Sequence, residues 1–231
     1  MNIYLFGKTS LSGEVFYDYF NLKNTKLRIY SFSRDKKKGY KIDLKNPNSF
    51  SLINNNDFIL ISFAPIWDLA DFLNDLFHDK NSKLKYLKGI IACSSTSALT
   101  KRFESNTYDK NLVKKLLNSE KKIISIAEKL YINCQIIRPT MIYGSFKEIQ
   151  DSNISKILCI MRSLKIVFLP SNSGLRQPIH AYQLAEVVYF LMMKSLKAKN
   201  KVCNLINLGG DTILNYQQII ESLRNSVGKN D

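Results

Sequence analysis

The sequence lacks any long apolar run. Its longest, FILISFAPI at 58–66 and VVYFLMM at 187–193, fall far short of the ~20 residues that a membrane-spanning helix needs. Met1 and Asn2 lead directly into a strand-like segment, so we expect no signal peptide. A chain of 231 residues with 45% hydrophobic letters can nevertheless bury a core. We therefore expect a cytoplasmic globular protein that does not contact a membrane.

Cysteine is scarce and dispersed. Cys93, Cys134, Cys159 and Cys203 stand alone in the sequence, and three of them fall in apolar, strand-like runs. This pattern favours reduced thiols in the core over disulfides or a metal site.

Acidic residues are outnumbered by basic ones, 19 against 34, which gives a net charge of +15. An excess of this size can indicate a nucleic-acid partner. The lysines are scattered, however, and aromatic residues do not alternate with them as they do in single-strand binding surfaces. We interpret the charge as solvated basic faces and expect no nucleic-acid partner.

Short β-rich segments alternate with longer helical patterns. The strand-like segments are NIYLF (2–6), LRIYSF (27–32), DFILISF (57–63), LKGIIAC (87–93) and NCQIIRP (133–139). Several are almost wholly apolar, as in a parallel sheet that helices cover on both faces. The pattern predicts a doubly wound, Rossmann-like α/β fold.

The regular alternation of strand-like and helical segments changes after Gly144. We predict a helix at about 149–163, a strand KIVFLP, a helix after His180, a strand VCNLINLGG and a last helix from about Asn215. We divide the chain into a dinucleotide-binding domain, 1–145, and a small C-terminal substrate lobe, 146–231. The lobe is expected to return one strand to the main sheet.

FGKTSLSG (6–13) lies at the first strand-to-helix turn. It ends like a P-loop at Gly-Lys-Thr, but the earlier glycine that a P-loop requires is Asn2. The spacing of Gly7, Ser10 and Gly13 instead resembles a dinucleotide loop, in which backbone N–H groups and the helix dipole bind pyrophosphate. The alternative is an ordinary turn glycine followed by a glycine at the start of a helix, which would give the same sequence pattern.

The end of the second strand bears on the choice of cofactor. Arg34 occupies the place where an arginine accommodates the 2′-phosphate of NADP, and Asp35 follows it. With Lys8 in the loop and lysines at 36–38, we favour NADP, while NAD stays possible. An ordinary solvated turn is the alternative.

Further segments fall in the order found in one family. These are Asp43-Leu44, ISFAP (61–65), CSSTS (93–97), RPTMIYG (138–144), RQPIHAYQLAEVV (176–188) and NLGG (207–210). Together with the loop, they resemble the short-chain dehydrogenase/reductase superfamily, in its NAD-dependent epimerase/dehydratase branch. The resemblance spans nearly the whole chain and implies an NAD(P)-binding protein whose substrate is a small molecule, in particular a nucleotide-sugar.

The resemblance also implies roles for individual residues. Ser95 would hydrogen-bond the reacting oxygen of the substrate, while Thr96 and Arg176 would bind the substrate, Arg176 through its phosphate. The implied cofactor-binding residues are Gly7, Lys8, Thr9, Ser10, Leu11, Gly13, Arg34, Asp43, Leu44, Phe63, Ala64, Pro65, Ser94, Pro139 and Thr140. We expect His180 to organise the start of the following helix, and Arg138 and Tyr143 have the alternative of supporting the fold.

The sequence departs from the family at its acid/base pair. The family places Tyr-x-x-x-Lys on the helix after the Ser motif, but with Glu120 as the anchor those positions hold Leu112 and Leu116. Tyr108, with Lys114 or Lys115, is the nearest substitute. If the protein is an enzyme, the proton would come from Tyr108, Tyr143 or water. The alternative is a non-catalytic relative that binds NADP(H) as a structural or sensing ligand.

Overall fold

Seven parallel strands form a central sheet in the computed structural model, which describes residues 1–79, 83–164, 174–198 and 200–227. The strands, in chain order, are β1 (Asn2–Phe6), β2 (Arg28–Ser33), β3 (Tyr40–Lys41), β4 (Phe58–Ser62), β5 (Leu87–Cys93), β6 (Asn133–Pro139), β7 (Ile142–Tyr143), β8 (Ser145–Phe146), β9 (Ile149–Gln150), β10 (Ile179–His180) and β11 (Cys203–Leu208). The central sheet has the order β11-β6-β5-β4-β1-β2-β3. This order runs outward in both directions from β1, which confirms the predicted doubly wound fold.

Helices cover both faces of the sheet. They are α1 (Leu11–Leu22), α2 (Ile66–His78), α3 (Ser97–Thr100), α4 (Thr107–Lys129), α5 (Ile154–Leu164), α6 (Ala181–Lys197) and α7 (Tyr216–Val227). Helices α2 and α4 pack on one face, and α1 and α6 pack on the other. The two-sided cover explains why β1 and β4 are buried along their whole length.

The alternation of side chains along β1 connects this strand to both layers. Tyr4 and Phe6 point to the α2/α4 side, where they join Phe72. Ile3 and Leu5 point to the opposite side and join Phe16 of α1. Because successive residues of a strand face opposite sides of the sheet, a strand between two helical layers has no polar face and reads as a continuous apolar run.

The segment after Gly144 differs in part from the sequence prediction. Residues 145–150 form an antiparallel hairpin, β8–β9, in which Lys147 has a left-handed φ of +54°. The next helix therefore begins at Ile154 rather than near 149, and the carboxylate of Asp151 accepts hydrogen bonds from the backbone N–H groups of Asn153 and Ser155. The predicted strand KIVFLP lies outside the described residues.

The predicted return of a strand to the main sheet is confirmed. β11 pairs in parallel with β6, from Cys203 opposite Cys134 to Leu208 opposite Pro139. β7 and β10 form a small parallel pair beside it. The division of the chain at 145/146 stays a prediction.

Candidate functional site

A cleft runs along the carboxyl ends of the central strands. It consists of a small cavity of about 280 Å³ and a large cavity of about 630 Å³, which share Ser10 and segment 63–65 as a common wall. Ligands of open α/β sheets bind at this edge, where the strand order reverses. Here the reversal lies at β1, directly before the FGKTSLSG loop.

The structure brings most of the predicted cofactor-binding residues to this cleft. The small cavity is lined by Gly7, Thr9, Ser10, Arg34, Asp43, Leu44, Phe63, Ala64 and Pro65. The large cavity is lined by Ser10, Leu11, Phe63, Ala64, Pro65, Ser94, Ser95, Pro139 and Thr140. Residues from six separate segments thus converge on one continuous surface.

The loop holds its shape through close backbone contacts. Gly7 has φ +76°, and a Cβ there would lie 2.5 Å from the backbone nitrogen of Ala64. A Cβ on Gly13 would lie 2.2 Å from the carbonyl oxygen of Gly7. Both glycines are therefore required by the backbone, and the role of the loop in binding pyrophosphate stays a prediction.

Ser10 occupies the place of the middle glycine in a dinucleotide loop. Its hydroxyl donates to the carbonyl oxygen of Gly7 at 2.8 Å and accepts from the backbone N–H of Gly13 at 3.1 Å. Ser10 is thus the N-cap of α1, and its side chain stabilises the turn instead of obstructing the cleft.

Basic residues lie at the outer end of the small cavity. Arg34 is exposed and lines it together with Lys45, which the sequence analysis did not single out. The carboxylate of Asp35 accepts from the backbone N–H of Lys37 at 2.9 Å and so caps a short turn. The Asp35 carboxylate is therefore already hydrogen-bonded within its own turn.

Lys8 lies elsewhere than the prediction assumed. Its ammonium is 3.4 Å from a carboxylate oxygen of Glu14 and 4.4 Å from the centre of the Tyr17 ring. Glu14 also pairs with Lys147 of the β8–β9 hairpin at 2.7 Å. These contacts direct Lys8 towards α1 and the hairpin, so its role in binding the cofactor stays a prediction.

The Ser motif lies at the end of β5, over the large cavity. The hydroxyl of Ser95 accepts from the backbone N–H of Ser97 at 3.1 Å and donates to the Ser97 hydroxyl at the same distance. The hydroxyl of Thr96 instead donates to the carbonyl oxygen of Pro139 at 3.2 Å. Ser95 thus borders the cavity, whereas Thr96 connects β5 to the end of β6.

A buried ion pair, Glu120 with Arg138, contacts this motif through the hydroxyl of Ser94. The carboxylate of Glu120 accepts two hydrogen bonds from the guanidinium of Arg138, at 2.9 and 2.5 Å, and one from the hydroxyl of Ser94 at 2.5 Å. Glu120 and Arg138 are 2% and 7% exposed. The hydrogen bonds from Arg138 to Glu120 raise the pKa of the guanidinium, which stays charged. Sequence reasoning used Glu120 as an anchor but did not connect it to Ser94.

The two leucines that the sequence analysis aligned with an acid/base pair face the large cavity. Leu112 and Leu116 both line it, one helical turn apart on α4, and Leu116 is 2% exposed. Trp67 adds to this apolar wall, and the ammonium of Lys115 lies 4.2 Å from its ring centre. This part of the cavity wall therefore consists of apolar packing side chains, and the absence of an acid/base pair from it stays a prediction.

The two tyrosines proposed as proton donors do not line the large cavity. Tyr108 is 76% exposed in the first turn of α4. Tyr143 borders a separate cavity of about 330 Å³, with Asp211 among its lining residues, and its ring is 5.1 Å from that of His180. The catalytic roles of both tyrosines stay predictions.

Two titratable side chains line the large cavity among the described residues. Burial raises the pKa of the Cys93 thiol to about 12, so this thiol is neutral. Burial also acts to raise the pKa of Asp151, but hydrogen bonds from Ser155, Asn153 and Gly144 prevail and lower it. A neutral thiol and a fully engaged carboxylate are both poor proton-transfer groups near neutral pH.

Another part of the lining of the large cavity is polar and comes from the segment after Gly144. Its residues are Gln150, which ends β9, and Asp151, Ser152 and Asn153, which follow the β8–β9 hairpin. The sequence analysis missed them because it placed this segment inside a helix.

Two other residues from the sequence analysis, Arg176 and His180, lie in the segment after Gly144. The guanidinium of Arg176 stacks 5.4 Å from the ring centre of Tyr216, and its backbone pairs with Leu214. Its role in binding a substrate stays a prediction. His180 caps α6. Its ring Nδ1 accepts a hydrogen bond from the backbone N–H of Tyr182, and its backbone N–H donates to the side-chain oxygen of Gln183. The expectation for His180 is confirmed.

The fold is that of sugar-nucleotide epimerases and dehydratases. The structure is similar to UDP-N-acetylglucosamine 4-epimerase from Bacillus cereus, with 16% identity and a TM-score of 0.73 over 99% of this chain and 82% of that one. It is similar to UDP-glucose 4-epimerase from Thermotoga maritima, with 12% identity and a TM-score of 0.73 over 100% and 84% of the two chains. It is also similar to the NAD complex of dTDP-glucose 4,6-dehydratase from Bacillus anthracis, with 15% identity and a TM-score of 0.68 over 99% and 81%.

At these identities the similarity shows the fold. No protein-family model matches the sequence, and the comparison with curated proteins gives no match. Within the part of the chain that the structure describes, no helix has the length and apolarity needed to cross a bilayer. The same residues include no cluster of three or more His, Cys, Asp or Glu side chains arranged to hold a metal ion.

Proposed function

We propose that the protein binds a nicotinamide dinucleotide in this cleft and acts as an epimerase, dehydratase or reductase on a nucleotide-activated sugar or a similar carbonyl or hydroxyl compound. The observation that carries the proposal is the continuous cleft, which runs from Arg34 past the start of α1 to Ser95. Three solved structures with the same fold contain bound ligands of this kind. They hold NAD, UDP-glucuronic acid with NAD and UDP-glucose.

The residues present fit such a cofactor. Gly7 and Gly13 leave no room for a Cβ, which keeps the first turn close enough for a pyrophosphate to approach the start of α1. The small cavity, bordered by Leu44 and Asp43, suits the adenosine half, and the large cavity suits the nicotinamide half beside Pro139. No charged group crosses the wall that the two cavities share.

NADP is the preferred cofactor in this proposal. Arg34 and Lys45 both line the end of the small cavity where the ribose would lie. The carboxylate of Asp35, which could otherwise bind a 2′-hydroxyl, is engaged by the turn at 36–38. The two cations at this end of the cavity, together with the local hydrogen bond of Asp35, favour a 2′-phosphate.

When bound, the cofactor would exchange a hydride with the substrate carbon at the nicotinamide. Ser95 would then turn its O–H from the Ser97 hydroxyl to the reacting oxygen, while the hydrogen bond from the backbone N–H of Ser97 holds the Ser95 oxygen in place. The buried pair of Glu120 and Arg138 holds the neighbouring Ser94 in place. Leu112 and Leu116 offer no proton, so turnover should be slow compared with an enzyme that has the Tyr–Lys pair.

The same two leucines favour a second candidate function. A protein that binds the dinucleotide without catalysis has no need of an acid/base at Leu112, and an apolar wall would hold the nicotinamide ring by packing alone. In that case NADP(H) would be a structural or sensing ligand, and the large cavity would not turn over a sugar.

Cofactor titration tests the binding site. NADPH and NADH are titrated by calorimetry against the wild type, Arg34→Ala and Arg28→Ala. Arg28 is a matched control because it is exposed at the other end of the same strand, β2. We expect NADPH to bind more tightly and Arg34→Ala alone to weaken it. Equal affinity for both cofactors would reject the NADP assignment, and no binding of either would reject the site.

Turnover of NADPH or NADP with a panel of UDP- and dTDP-sugars separates the two functions. The variants are Ser95→Ala, Tyr108→Phe, Tyr143→Phe and the double change Leu112→Tyr/Leu116→Lys. Loss of activity in Ser95→Ala alone supports the catalytic function, and a gain in the double variant supports a degenerate site. If Tyr108→Phe is as damaging as a lost acid, the proton donor has moved. Complete inactivity of every protein with intact NADPH binding supports the non-catalytic function.

A further inference from the structure

Two of the four cysteines lie side by side at the end of the sheet opposite the cleft. Cys134 of β6 and Cys203 of β11 are direct partners in the register of these parallel strands. Cys134 is fully buried, whereas Cys203 is half-buried on the last strand of the sheet order. Both thiols belong to the hydrophobic cluster on the α2/α4 side, so they project from the same face.

The strand geometry permits a bond between them. Neighbouring strands lie ~4.8 Å apart, which falls within the Cα separations of ~4.4–6.8 Å that disulfides adopt. A disulfide also needs Cβ atoms ~3.5–4.5 Å apart, so oxidation requires the two paired side chains to lean towards each other.

The two thiols differ in reactivity. The neighbouring Cys134 thiol lowers the pKa of Cys203 to about 7, against the opposing effects of burial and of the Glu128 carboxylate on α4. The neighbouring Cys203 thiol, followed by burial, raises the pKa of Cys134. Near neutral pH, a substantial part of Cys203 is thiolate, which is the nucleophilic form, while Cys134 keeps its proton.

We propose that Cys203 and Cys134 form a dithiol site that reacts with low-molecular-weight disulfides such as oxidised glutathione. The Cys203 thiolate attacks one sulfur of the disulfide, forms a mixed disulfide and releases one thiolate. Cys134 then loses its proton to solvent and attacks the Cys203 sulfur, which forms the Cys134–Cys203 disulfide and releases the second thiolate. The protein loses two electrons and two protons, and the small disulfide is reduced to two thiols.

This site is distinct from the cleft. Cys134 precedes Pro139 by five positions of β6, which corresponds to ~16 Å along the strand. The proposal does not depend on the function proposed above, and cofactor binding should be unchanged by oxidation.

The test is reaction of the folded, reduced protein with oxidised glutathione near neutral pH, followed by acid quenching, non-reducing digestion and mass spectrometry. Cys159, which is exposed on α5, is an internal standard for an accessible thiol. We expect a peptide pair joined through Cys134 and Cys203, while Cys159 keeps its glutathione. In Cys134→Ser, the mixed disulfide on Cys203 should accumulate. In Cys203→Ser, position 134 should not react.

A second measurement keeps the test decisive if a variant unfolds. Phenylarsine oxide binds two neighbouring thiols at once, so the wild type should bind one equivalent that protects Cys134 and Cys203 together from alkylation. The double variant Cys93→Ser/Cys159→Ser should behave in the same way. A stable glutathione adduct on wild-type Cys203 would overturn the proposal. The proposal would also fail if Cys203 stays unmodified after Cys159 has reacted completely.

Discussion

Replacement of Gly13 by alanine offers the sharpest test of the loop. Its Cβ would lie 2.2 Å from the carbonyl oxygen of Gly7 and 2.9 Å from the Cα of Lys8. Both neighbours are backbone atoms, so no side chain can rotate to relieve the contact. The atoms would have to separate by about 1 Å to reach an ordinary van der Waals distance. The start of α1 and the loop must therefore move apart.

The expected loss of stability follows from the contacts that would break. Overpacking of this kind costs ~1–3 kcal/mol, and loss of the Ser10 cap adds ~1 kcal/mol. The better helix propensity of alanine returns ~1 kcal/mol. We expect a net loss of about 1–3 kcal/mol, which corresponds to a melting temperature lower by about 2–12 °C. Dinucleotide affinity should fall with it, and Gly13→Val should abolish binding.

Gly89→Ala is the matched control. Gly89 lies within β5, and a Cβ there would meet its nearest neighbours at 3.5–3.8 Å, which is ordinary contact. Alanine at this position should leave the melting temperature unchanged or raise it slightly. Thermal denaturation and calorimetric titration of both variants decide the matter. If Gly13→Ala melts like the wild type and binds NADPH normally, the loop is not the phosphate site.

Three further predictions concern charged and reactive groups. Arg34→Ala should weaken NADPH binding about ten- to hundredfold, since a charge-assisted contact contributes ~1.5–3 kcal/mol, while NADH binding measured in the same calorimeter should change little. Glu120→Ala should lower the unfolding free energy in urea by ~3–5 kcal/mol, because it leaves the Arg138 cation buried without its partner; a loss below ~1 kcal/mol would contradict the buried pair. Alkylation of Cys203 by iodoacetamide should accelerate as pH rises through about 7, and in Cys134→Ala the midpoint should move up towards the ordinary thiol value of ~8.5.

The central fold could be predicted because its signals are local. β1 and β4 are continuous apolar runs, and the glycine spacing after β1 follows from contacts within one turn. His180 likewise organises a helix through neighbours two and three positions away. Features of this kind depend on residues that are close in sequence, so pattern and propensity are sufficient.

The parts that sequence reasoning missed depend on contacts between distant segments. Lys45 reaches the small cavity only because the chain turns back after β3. The sequence analysis began a helix near 149, whereas residues 145–150 form a hairpin with a left-handed conformation at Lys147 and the helix begins at Ile154. The contact of Ser94 with Glu120 joins residues 26 positions apart. Such pairs become visible only when the register of the sheet is known.

The pairing of β11 with β6 has a consequence for how the chain folds. β6 is buried at every position, yet its outer partner begins at Cys203, 69 positions after Cys134. Contacts this distant form slowly, because the intervening chain must first be closed into a loop. Until then β6 is an exposed strand edge with unpaired backbone groups, open to pairing with another chain. The interval before residues 203–208 arrive is therefore the period in which the nascent protein is most exposed to misassembly.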